Sequence, residues 1–185
     1  MPDGGTVIDP AHSAVSFAAW HTMLGKMCGR FTSFSGQVLT GEQFPDFSVT
    51  ISVDLGSVST GVDERDECIR SIGILDVARY PTMTYRSTGL CDYGGPFVLE
   101  GWLTVHGVTR FVPLELEVAL RDGSDADGGT RCGFRAIGTI NLGDFGVGIN
   151  VAAPGGVLVS DEVELQLAIY QTLIGSGDGG QDPAE

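Results

Sequence analysis

Residues 99–106, Leu99-Glu100-Gly101-Trp102-Leu103-Thr104-Val105-His106, and residues 112–120, Val112-Pro113-Leu114-Glu115-Leu116-Glu117-Val118-Ala119-Leu120, alternate in character with a period of two. Successive side chains of an extended chain leave on opposite faces, so each segment has one face for a dry interior and one for water. The same alternation carries Val49, Ile51, Val53 and Leu55 against Thr50, Ser52 and Asp54, and Val163, Leu165, Leu167 and Ile169 against Glu162, Glu164 and Gln166. Weaker versions run over 13–22, 30–39, 82–91 and 132–142. Gly94-Gly95-Pro96 and the Asp- and Gly-rich run 122–129 read as loops between them. The count predicts an all-β fold of about eight antiparallel strands. Closing the sheet removes its exposed edges, which favours a barrel over a sandwich.

One segment breaks the rhythm. Residues 62–79 carry dense charge with apolar residues at helical spacing, so that Cys68, Ile69 and Ile72 share one side of a short helix. Asp63 with Asp66 is expected to cap its start and Gly73 to end it, after which Leu75 carries the apolar side to the Tyr80-Pro81 corner. A single helix among eight strands is expected to cap one end of the barrel. Glu64, Arg65, Asp66, Glu67 and Arg70 read first as a charged helix face, with an Arg65-Asp66 pair fixing the helix to the rim. Arg65 or Arg70 is the alternative seat for an anionic headgroup.

Composition narrows the function. The 185 residues hold 24 Asp plus Glu against 10 Lys plus Arg, a formal charge of −14, which argues against nucleic acid as a partner. Lys26 is the sole lysine and the nine arginines are scattered. No stretch approaches the ~18 apolar residues of a spanning helix. The start, Met1-Pro2-Asp3-Gly4-Gly5, has neither basic flank nor apolar run, which points to the cytoplasm, or to the periplasm or exterior if a leader has been removed. Residues 1–5 are expected to be flexible, 6–172 to form the domain, and the Gly- and Asp-rich residues 173–185 to be a disordered tail. Cys28, Cys68, Cys91 and Cys132 are too widely spaced for a zinc pair and read as reduced, mostly buried thiols, or as one long-range disulfide if the protein is exported.

Motifs for chemistry are weak. His12, His21 and His106 lack local metal-ligand spacing, no GxSxG elbow is present, and Gly175, Gly177 and Gly180 meet GxGxxG only in the tail, with no helix to follow. No catalytic residue, metal or cofactor is expected. The inward set is more informative: it mixes Phe17, Phe31, Leu103, Phe134 and Ile140 with Ala19, Ala136 and Gly138. An eight-stranded barrel is either just filled by side chains or holds one small ligand, and small inward residues favour the second.

These residues also fall into a known order: Ile8-Asp9-Pro10-Ala11-His12-Ser13 with Phe17 and His21; Gly29-Arg30-Phe31 through Phe34-Ser35-Gly36; Glu64-Arg65-Asp66 with Ile69-Arg70-Ser71; and Asp76 to Tyr80-Pro81. Gly101 to Arg110, Gly133-Phe134 with Ala136 and Gly138, Asp144-Phe145-Gly146-Val147 and Asp161-Glu162-Val163 complete it. Over residues 6–170 the chain resembles the YceI-like family of lipocalin-like, polyisoprenoid-binding proteins. The resemblance implies an eight-stranded antiparallel barrel whose pore holds a long isoprenoid, quinone-like or fatty-acyl molecule. Two departures from the family pattern, Ile72-Gly73-Ile74-Leu75 and Asn141-Leu142-Gly143, fall where the cavity mouth is expected.

The expected function is therefore binding, sequestration or transport of one long apolar molecule, with no chemistry. The alternative is a metal-free isomerase or cyclase acting on a hydrophobic substrate in the same cavity. Expected contacts are Phe17, Ala19, His21, Phe31, Ile51, Val53, Leu103, Val105, Leu116, Phe134 and Ile140 from the strands. Ile69, Ile72 and Leu75 from the helical segment, and Tyr85 and Phe145 near the ends, join them, with His21 and Tyr85 as polar handles. An exposed strand face at Trp102 would call for cover by a homodimer.

Overall fold

The computed structural model describes residues 5–21, 25–40, 47–121, 130–148 and 159–173. Its strands are β1 (Gly5–Val7), β2 (Ala14–His21), β3 (Gly25–Phe31), β4 (Phe34–Thr40), β5 (Phe47–Asp54), β6 (Val58–Ser59), β7 (Thr82–Asp92), β8 (Phe97–Val105), β9 (Val108–Phe111), β10 (Leu114–Arg121), β11 (Thr130–Asn141) and β12 (Val159–Leu173), with one helix, α1 (Asp63–Arg70). All join one antiparallel sheet.

The twelve segments are eight strands of a meander, four of them broken by a local irregularity. β1 pairs with β4 and β2 with β3, so β1–β2 runs alongside β3–β4. β4 pairs with β5 and β3 with β6, so the β3–β4 strand runs alongside β5–β6. The strand expected over 30–39 thus breaks at Thr32-Ser33, where the Ser33 carbonyl accepts from Asp54 N–H at 3.0 Å and Thr32 N–H donates to the Ser57 carbonyl at 3.2 Å. A 3-10 turn over Leu55–Ser57 is the extra length on the partner strand, and Asp54 caps it by accepting from Gly56 N–H at 2.8 Å. β9 and β10 lie on β8 in one continuous register, interrupted where Pro113 lacks an N–H. From β5 the order continues β7, β8, β10, β11, β12 and returns to β2, which closes the barrel.

Two short-range features set this meander. His106 and Gly107 both have positive φ, 53° and 74°, the two-residue turn whose twist matches antiparallel strands and which joins β8 to β9. The Tyr80 ring stacks on His106 at 4.2 Å, and a Cβ on Gly107 would meet Tyr80 at 2.8 Å, so the Tyr80-Pro81 corner is docked against that hairpin.

The helix is shorter than expected. It ends at Arg70 rather than Gly73, with the Ser71 N–H and hydroxyl both turned back to the Cys68 carbonyl. Its N-cap is Val62, which offers no side-chain acceptor, and neither Asp63 nor Asp66 caps the first turn. Cys28 is exposed and Cys68 and Cys91 are half-buried, all three free, so these thiols are not core residues as expected. Cys132, the loop 122–129 and the tail from 174 lie outside the described residues or side chains. Among the described residues no helix is long and apolar enough to cross a membrane.

Candidate functional site

The barrel is solid in one half and hollow in the other. In the solid half the Tyr85 hydroxyl donates toward the Leu99 and Val112 carbonyls at 2.9 and 3.2 Å. The ring occupies the space that a Cβ on Gly101 would take, 2.6 Å from it. Burial pushes the Tyr85 hydroxyl pKa up, with a smaller push from the Glu100 charge, so the group stays neutral. Around it Ile51, Val53, Leu103, Val112 and Leu114 close on a void of only about 20 Å³. Further along, Phe47 packs edge-on against Phe134 at 5.2 Å.

The hollow half holds a cavity of about 590 Å³. Phe17 and Ala19 of β2, Met27 and Phe31 of β3, Leu55 and Val58 before the helix, Met83, Val105, Ile140, Val163 and Leu165 form its barrel wall. Cys68 and Ile69 of α1, then Ile74 and Leu75, cover it, and Leu142 joins from the turn after β11. Charged residues border it at one side: Glu64 and Arg65 on α1, with Lys26 on β3. Among the described residues β3 pairs with β6 only through Arg30 and Phe31. Gly25–Gly29 therefore present an edge beside α1, and the cavity mouth lies between the two. The Lys26 side chain turns to the outer face of the sheet, where its Nζ lies 3.0 Å from Glu164 and 5.5 Å from the Trp20 ring centre.

The helix is fastened over the cavity by polar contacts in addition to its apolar side at Cys68 and Ile69. Asp66, 4% exposed, accepts from the Thr60 N–H at 2.8 Å and from its hydroxyl at 2.5 Å. Thr60 also takes Arg65, whose Nε donates to the Thr60 hydroxyl oxygen at 2.7 Å and Nη2 to the Thr60 carbonyl at 2.9 Å. Arg70 Nε and Nη2 donate to the Gly56 and Val58 carbonyls at 3.0 and 3.2 Å. The expected Arg65-Asp66 link is thus made through Thr60. The Thr60 hydroxyl, with help from its N–H and from the Arg70 and Arg65 charges, holds the Asp66 carboxyl below the usual carboxylate range against the opposing effect of burial.

Of the sixteen residues expected to contact a ligand, Phe17, Ala19, Phe31, Ile69, Leu75, Val105 and Ile140 stand together around the cavity. Ile51, Val53, Tyr85 and Leu103 belong to the solid half, and Leu116, Phe134 and Phe145 are buried without bordering either space. Ile72 is 85% exposed, because the helix stops before reaching it. The His21 side chain lies outside the described ones. Arg65 borders the cavity mouth, whereas Asp66 and Arg70 do not. Missed were Met27, Leu55, Val58, Cys68, Ile74, Met83, Leu142, Val163 and Leu165. Leu55, Val163 and Leu165 share strand faces already read as inward, so their signal was present; Met27 was lost because β3 begins earlier than its alternation shows.

Of the small inward residues Ala19 borders the hollow, but the glycines do not create it. A Cβ on Gly138 would collide with Leu114 Cδ2, and one on Gly29 with the Phe17 ring, so neighbours already fill those gaps. Among the described residues no cluster of three metal-ligating side chains exists. His12 lies at the surface, its Nδ1 2.7 Å from Asp9 Oδ2.

The family model for the YceI-like domain matches residues 7–170. Protein YceI of Salmonella newport (strain SL254) is 34% identical over 159 residues, 85% of this chain and 80% of that protein. Among solved structures, BcnA of Burkholderia cenocepacia superposes with a TM-score of 0.76 at 24% identity, covering 89% of this chain and 99% of that one. A polyisoprenoid binding domain from Saccharophagus degradans, implicated in plant cell wall breakdown, superposes at 0.70 with 18% identity, over 92% and 99% of the two chains. Matched in sequence over nearly all of the barrel and sharing its fold with these structures, the chain belongs to the YceI-like family.

Proposed function

We propose that this protein binds a single long apolar molecule of the polyisoprenoid, isoprenoid-quinone or fatty-acyl type and sequesters or carries it. The observation that carries this reading is the cavity of about 590 Å³, within the usual range for small-molecule sites, with a predominantly apolar lining. The tail enters first and lies against Phe17, Phe31, Val105 and Ile140. Each CH₂ removed from water contributes about 0.8 kcal/mol, so burying a long chain supplies the driving force for binding without any chemistry. The polar end stays beside Glu64 and Arg65. Arg65 commits Nε and Nη2 to Thr60 and makes no hydrogen bond through Nη1 among the described residues, which leaves a donor for an oxygen of that polar end.

The YceI-like family membership and the structural likeness to a domain described as polyisoprenoid binding support the same reading. Native mass spectrometry of the purified protein, followed by organic extraction, tests it. A co-purifying apolar species at one per chain is the expected result. Absence of any such species, together with failure to take up prenyl or acyl chains added in vitro, overturns it.

A further inference from the structure

The cavity has a floor made of two residues. Met83 of β7 and Leu165 of β12 border the 590 Å³ cavity from one side and the 20 Å³ void from the other, and no other described residue borders both. Beyond them the Tyr85 ring is pinned beneath Gly101, its hydroxyl fixed by two backbone carbonyls, so the floor has no room to drop. Among the described residues the cavity is open on the side bordered by β3 and α1.

We infer that Met83 and Leu165 act as a ruler for the bound chain, setting the number of carbons that can be buried; this rests on the reading of the cavity as an apolar-chain site. An apolar cavity of about 150 Å³ holds one benzene, six carbons, so 590 Å³ takes on the order of 20–25 carbons, or about four to five isoprene units. Up to that length each added carbon leaves water and tightens binding by up to about fourfold. Past it, added carbons emerge at the mouth and contribute nothing. The ligand class is therefore a prenyl or acyl chain of up to about C25, and a longer polyprenyl chain is held only by its terminal units.

The test is competition by all-trans prenyl alcohols of 10, 15, 20, 25 and 30 carbons against a fluorescent polyene fatty acid on the full-length protein. Affinity is expected to rise at least tenfold per isoprene unit to C20 and to be flat between C25 and C30. Met83→Ala joins the void to the cavity and moves the plateau to a longer chain, so that C30 gains over C25. Ala19→Leu adds three carbons inside the cavity and moves the plateau to a shorter chain, near C20, so that C25 no longer gains over C20. A continued rise from C25 to C30 in the wild type, or a break point that neither substitution moves, overturns the ruler while leaving the binding reading intact. Failure of every alcohol, from C10 upward, to displace the probe overturns the binding reading and the ruler with it.

Discussion

The carboxylate of Asp66 and the backbone N–H and hydroxyl of Thr60 close a seven-residue loop at 2.8 and 2.5 Å, and this loop, rather than a capping residue, begins helix α1. Because the Asp66 carboxyl is held below its ordinary 3.8, the unfolded chain takes up that proton first as the pH falls. Its stabilisation is complete above about pH 4 and is lost as the pH drops through the lower, folded value. Asp66→Asn keeps an acceptor for both Thr60 donors but removes the charge. It is expected to lower Tm at pH 7 and to narrow its gap to the wild type between pH 4 and 2. Parallel Tm curves across that range would show that the carboxylate has no such role.

Arg70 fastens the other end of the helix through two backbone carbonyls on the segment joining β5 to α1. Arg70→Met preserves the stem and removes both donors, at a cost of about 1–2 kcal/mol once partial solvation of the site is allowed for. Chemical denaturation measures that cost. Hydrogen exchange locates it: faster exchange is expected over 63–70, with β11 and β12 unchanged.

Much of the fold was legible because one face of each strand is buried, and Leu99 to His106 and Leu114 to Glu117 show the alternation without a gap. The breaks were less legible. Thr32-Ser33 carries no Pro or Gly, and the bend there is dictated by the 3-10 turn at Leu55–Ser57 on the neighbouring strand, a contact between residues some 24 positions apart. The site was half legible. Period-two reading tells inside from outside but not which end of the barrel a residue occupies, so Ile51, Val53, Tyr85 and Leu103 read the same as Phe17, Phe31 and Ile140. What separates them is the position of Tyr85 and of α1 along the barrel axis, which depends on the register of all eight strands together.

Tyr85 and Gly101 form the tightest pair of the solid half. Tyr85→Phe leaves two buried carbonyls without their donor and is expected to cost about 1–3 kcal/mol. Gly101→Ala places a Cβ 2.6 Å from the Tyr85 ring and 2.7 Å from the Arg86 carbonyl, one of them backbone, with an overpacking cost of about 1–3 kcal/mol. Because the two substitutions share one contact, the double variant is expected to cost less than their sum, which a denaturation cycle over the four proteins reads directly. Additive costs would mean that the two residues act separately.

The tyrosines give an alkaline signature. The hydrogen bond to Glu100 at 2.7 Å, with further help from Cys91, pushes Tyr93 up to about 12 although it is exposed, and burial pushes Tyr85 higher still. For Tyr85 the protonated form is the folded one, so its stabilisation is complete below pH 10 and is lost as the pH rises beyond it. Absorbance at phenolate wavelengths is expected to show Tyr85 ionising only together with unfolding. Glu100→Gln lowers the Tyr93 midpoint toward 10, and an unchanged midpoint would remove Glu100 as its cause.

Thiol labelling locates occupancy. Cys28 and Cys68 border the cavity from β3 and α1, while Cys91 stands on β7 and borders neither internal space. A maleimide added to the empty protein is expected to modify the exposed Cys28 first, with the half-buried Cys68 and Cys91 slower. Loading the protein with a C20 prenyl alcohol fills the space against which Cys68 packs, so Cys68 is expected to slow severalfold while Cys91 keeps its rate. The comparison between two thiols of similar exposure cancels any general tightening of the barrel. Equal protection of both would place the bound chain somewhere other than beneath α1, and no protection of Cys68 at saturating alcohol would mean that the helix side of the cavity stays open when occupied.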